Sequence, residues 1–70
     1  MSKHNPQDLR RHIFFEKNSR EFIATAYYDL PEKILVMAIK RHKQKSMAVQ
    51  LAMRAAKERT LAGEFEEVTP

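Results

Sequence analysis

His12-Ile13-Phe14-Phe15-Glu16-Lys17-Asn18-Ser19-Arg20-Glu21-Phe22-Ile23-Ala24-Thr25-Ala26-Tyr27-Tyr28 admits two readings that lead to different folds. In the first, Asn18 followed by Glu21 has capping-box spacing and opens a helix. Phe22, Ile23, Ala26, Tyr27 and Leu30 then fall at i, i+1, i+4, i+5 and i+8, along one helical face. In the second, residues 12–16 and 21–28 are two strands around a Lys17-Asn18-Ser19-Arg20 turn. The aromatic content favours strand, whereas Ala24 and Ala26 favour helix. The turn has neither glycine nor an Asn-Gly pair, so it lacks the usual hairpin chemistry. The helical reading is preferred on that ground, with a short β-ribbon as its alternative.

Upstream, Asn5-Pro6 reads as a helix start, with Asn as cap, Pro at the first position and Asp8 near the positive dipole end. Leu9, Ile13 and Phe14 would face inward. Downstream, Asp29-Leu30-Pro31 must turn, because Pro31 disfavours helical geometry at Leu30 and Asp29 can cap a helix beginning near Pro31. An apolar seam at Leu35, Ile39, Val49, Met53 and Ala56 keeps helical spacing, interrupted at His42 and Ser46. One helix or two are therefore expected over residues 31–62, ended by Gly63, the chain's single glycine. The predicted fold is mainly α: a small helical hairpin or bundle, one domain over 1–70, with 63–70 a frayed acidic tail.

Seventy residues bury only about 60% of the surface of the unfolded chain, so a lone core is marginal. Cysteine is absent, which removes disulfides and thiolate metal sites from the remedies. A homodimer is the natural completion. It would bury Leu35, Ile39, Val49 and Met53. The paired aromatics Phe14-Phe15 and Tyr27-Tyr28 cannot all point inward on one helix, so Phe14, Phe15 and Tyr28 join the candidate dimer or partner interface. No apolar stretch follows the charged start. The longest aliphatic run, Ile34 to Ile39, is far short of the roughly 20 residues of a membrane span. No membrane association and a cytoplasmic location are expected.

The net charge of +4 is unevenly placed. Residues 40–59 hold seven Lys/Arg against one Glu, while residues 60–70 hold three Glu and no base. That asymmetry suggests an anionic partner. Lys40, Arg41, Lys43 and Lys45, followed by Arg54 and Lys57, are the candidate phosphate contacts. The plainer reading is a solvated helical face. Residues 40–59 contain no aromatic residue, so bases of a single strand find no stacking platform there.

From Phe22 to about Lys57 the chain resembles a ribbon-helix-helix DNA-binding unit of the Arc/MetJ type. Phe22 to Tyr28 matches the strand, and Leu30-Pro31-Glu32-Lys33-Ile34 matches the opening of the first helix. Ser46, Ala48, Val49 and Ala52 match the cap and buried positions of the second. The resemblance implies a dimer that lays paired strands in the major groove. It also implies that Ala26 and Tyr28 are buried while Thr25, Tyr27 and Asp29 point at DNA.

No residue set suggests an enzyme, a cofactor or a metal. His42 and Ser46 are four apart, but no orienting acid or oxyanion device accompanies them. His4, His12 and His42 have no ligand spacing. Glu64, Glu66 and Glu67 read as a solvated tail. Met37, Met47 and Met53 are adaptable contact residues. The expected function is a small non-enzymatic nucleic-acid-binding regulator. The alternative is an adaptor or inhibitor docking an aromatic and methionine surface on a larger protein.

Overall fold

A computed structural model describes residues 5–63 and corrects the expected class. Among these residues 42% are strand and 34% helix, an α+β fold rather than a mainly α one. After a single 3-10 turn at Pro6–Asp8 come β1 (Arg10–Glu16), β2 (Glu21–Asp29), β3 (Ile34–His42) and α1 (Lys45–Leu61). The strands form an antiparallel meander in the order β1-β2-β3.

The hairpin forms without glycine because Arg20 itself takes the left-handed conformation, at φ 56°. Asn18 and Glu21 are therefore turn and strand, not a helix cap. Asn5 does cap, its Oδ1 accepting from the Gln7 backbone N–H at 2.9 Å, but the helix it opens lasts one turn. At Leu9 the backbone becomes extended, and Ile13 and Phe14 enter β1. The turn expected at Asp29-Leu30-Pro31 is present. It joins two strands, closed by the Leu30 N–H donating to the Lys33 carbonyl at 3.0 Å.

Opposed residues in an antiparallel pair share a face, so the register sorts the side chains. Phe15, Phe22 and His42 lie in one row, and so do Ile13, Ala24 and Lys40, followed by Arg11, Ala26 and Ala38. These rows face α1. On the other side lie the rows Phe14, Ile23 and Arg41; His12, Thr25 and Ile39; and Arg10, Tyr27 and Val36. Asp29 with Ile34 ends that side. A bulge between Ala26 and Tyr27 on the β2 side sets Met37 as the extra residue of β3. Leu35, Met37 and Ala38 are all buried as a result, which strict alternation forbids.

The helix lies on β2 and β3 through a stripe of small residues, Ala48, Ala52, Ala56 and Thr60, at intervals of four. Opposite them are Ala24 and Ala26, so the backbones can approach closely. Val49 and Met53 are half-buried against this core. Gly63, at φ 72°, closes the helix C-terminus by donating to the Thr60 carbonyl.

Residues 34–42, expected as helix, are therefore strand. The first helix implied by the ribbon-helix-helix resemblance is β3, although the alternation implied for β2 does occur. Ala26 and Tyr28 are buried, while Thr25, Tyr27 and Asp29 face away. Leu35 and Ile39 lie on opposite faces of the sheet, so no single surface buries Leu35, Ile39, Val49 and Met53 together. The tail from Glu64 lies outside the described residues. No helix among the described residues is long and apolar enough to cross a membrane.

Candidate functional site

The end of β3, the two-residue connection and the start of α1 bring Lys40, Lys43 and Lys45 into one exposed neighbourhood. Gln44 caps the helix without a side-chain hydrogen bond, and no acidic residue lies in the first turn. The positive end of the helix dipole therefore adds to the lysines instead of being neutralised. His42 helps shape the connection. Its Nδ1 accepts from the Gln44 backbone N–H at 2.9 Å, so it is a turn residue and not half of a Ser–His pair with Ser46.

Arg54 and Lys57 are exposed on α1, nine and twelve residues beyond Lys45. At a rise of about 1.5 Å per residue they stand roughly 14 to 18 Å further along the axis. The candidate contacts form two groups, not one patch. Among the described residues neither group contains a cation in an ion pair.

Two other arginines of the basic segment are occupied. Arg41 projects from the face opposite α1, where its Nη2 donates to Glu16 Oε1 at 2.8 Å and its Nε lies 3.7 Å from Glu21. A hydrogen bond from the Ser19 hydroxyl and the Arg41 charge hold the Glu16 carboxyl below its ordinary value of 4.5, against a smaller opposing effect of desolvation. Arg59 donates to the carbonyl of Met37, the bulged residue. Sequence reading could not separate these arginines from the cations that have no ion pair among the described residues, because their partners are twenty or more residues away.

The interface candidates divide three ways. Tyr28 and Leu35 belong to the chain's own core, and the Tyr28 hydroxyl is 2.9 Å from Thr60 Oγ1. Phe15 lies on the helix side of the sheet with its ring 4.9 Å from that of Phe22. Phe14 and Ile39 lie on the opposite face, 55% and 57% exposed. Ile34 and Val36 share that face and escaped the sequence reading, which had them in a helix. With His12, Thr25 and Tyr27 they line a shallow depression. Comparison with known protein families, curated proteins and solved structures finds no match to this chain.

Proposed function

We propose that the chain is a small non-enzymatic nucleic-acid-binding regulator that holds phosphate with Lys40, Lys43 and Lys45 and, further along α1, with Arg54 and Lys57. The observation that carries this reading is the separation of charge. These five cations have no ion-pair partner among the described residues, whereas Arg10 and Arg41 are paired with acids on the other sheet face. The two groups are separated along α1, so one molecule would meet phosphates at more than one place on a nucleic-acid backbone. Such contacts are sequence-independent and position the protein instead of reading bases.

A salt titration of binding to random duplex DNA tests this. Each productive contact adds about 0.9 to the slope of log K against log salt. Lys40→Gln with Lys43→Gln and Lys45→Gln should flatten the slope by roughly two to three, with the fold intact. A parent chain that does not bind, or a triple variant that binds equally well, overturns the reading. The second reading, a protein-docking adaptor, is favoured by the exposed apolar side chains around Phe14.

A further inference from the structure

Most of the buried apolar residues of this molecule are small, while several large ones lie outside. Among the described residues, six of the nine buried hydrophobic ones are alanines. Meanwhile Phe14, Ile34, Val36 and Ile39 stand exposed on the sheet face that α1 does not cover. Burial contributes about 25 cal/mol per Å² of apolar surface, so an alanine core leaves a 70-residue chain thinly stabilised while its best apolar surface stays in water.

The face has the size of an interface. Three strands about 4.8 Å apart, each seven to nine residues long at about 3.3 Å per residue, give a flat footprint of roughly 400 Å². Side-chain relief raises the accessible area, so two such faces closing together reach the lower end of a specific interface, about 1,200 Å² in total.

Its charge also suits a second copy. The chain is +4, but this face carries Arg10 and Arg41 against Glu16, Glu21 and Asp29. Arg10 is 3.9 Å from Asp29 at one end, and Arg41 meets both glutamates at the other. Each end holds both signs around an apolar middle, so the carboxylates that meet across a two-fold, Glu21 and Asp29, each bring an arginine of their own. The lysines at the α1 start lie away from it.

We infer that the open sheet face is a homodimer interface in which two copies pack face to face, with the two-fold axis crossing the strands near Thr25. That axis carries Phe14 of one copy over the depression between His12, Tyr27 and Val36 of the other. It leaves both α1 helices and their cations on the outside. The dimer stands independently of the phosphate reading, because none of its contacts uses those cations.

Sedimentation equilibrium of the full chain at micromolar concentration should give twice the 8.2 kDa chain mass, at low and high salt alike. Phe14→Arg with Ile39→Arg should give a folded species at the chain mass, with helical circular dichroism retained. Leu61→Arg, on the exposed end of α1, should leave the dimer intact. A monomeric parent would mean that the face serves a different protein, and the inference fails. It fails equally if the dimer survives the double variant or dissolves in Leu61→Arg. Should the double variant unfold, isotope-mixed parent protein decides. Intermolecular NOEs from the Phe14 ring to Tyr27 or Val36 support the dimer, and a dimer without them overturns this geometry.

Discussion

The Arg41 guanidinium reaches over β2 to the Glu16 carboxylate at 2.8 Å, joining the two strands of the sheet that share no backbone hydrogen bonds. A cation that reads in sequence as part of a phosphate-binding run is in fact a strap across the opposite face. Arg41→Gln should leave the salt slope of DNA binding unchanged while lowering stability only slightly, as for other solvent-exposed ion pairs. A slope reduced as much as by a lysine substitution would show that Arg41 contacts phosphate after all.

The same strap sets an acid response. Glu16 has its proton affinity lowered in the folded state by Ser19 and Arg41, so its stabilising effect is full above the ordinary value of 4.5. The effect is lost as pH falls through the lower folded value. Denaturant melts of the parent and Glu16→Gln should differ at about pH 7, and the difference should shrink as pH falls below the ordinary carboxylate range. Ser19→Ala should move the Glu16 carboxyl titration, followed by carbon NMR, back up.

Tyr28 and Thr60 tie the end of β2 to the last turn of α1 across a buried 2.9 Å contact. Tyr28→Phe leaves the Thr60 hydroxyl without this partner and should cost about 1 to 2 kcal/mol. Adding Thr60→Val to Tyr28→Phe should recover part of that loss. Strictly additive losses in thermal denaturation would mean that the two hydroxyls act independently.

The helix is seated on alanines, so the spacing of layers should be sensitive to volume. Ala52→Leu, at a position almost fully buried between α1 and the sheet, should destabilise by about 1 to 3 kcal/mol through overpacking. Leu51→Ala, on the adjacent exposed position, should change stability by less than about 1 kcal/mol. A stabilised Ala52→Leu protein would reveal a void beneath the helix.

Some of this architecture is written plainly in the sequence. The stop at Gly63 and the turn at Pro31 are local signals with their expected structural counterparts, whereas Val49 and Met53 of the expected helical seam lie one position off the buried stripe of Ala48, Ala52, Ala56 and Thr60. Strand β2 hides its nature, because it alternates small with large residues instead of apolar with polar. Ile23 and Tyr27 on the outer face are as hydrophobic as anything within. Strand β3 is harder still: Ile34 to Ile39 is uniformly apolar, and the extra residue at Met37 breaks the period of two. The free lysines were legible as a charge cluster. Which arginines were already engaged depended on contacts between distant segments.

The bulge at Met37 makes the two margins of the sheet unequal. Along β3, the extra residue breaks the regular ladder of amides and carbonyls, and Arg59 occupies the Met37 carbonyl. An incoming strand therefore meets an interrupted template on that side. Along β1, residues 10–16 present an unbroken margin, guarded mainly by the charge of Arg10, Arg11 and Glu16. If the protein grows into fibrils, the growing end is β1, and neutralising Arg10 and Arg11 is what would release it.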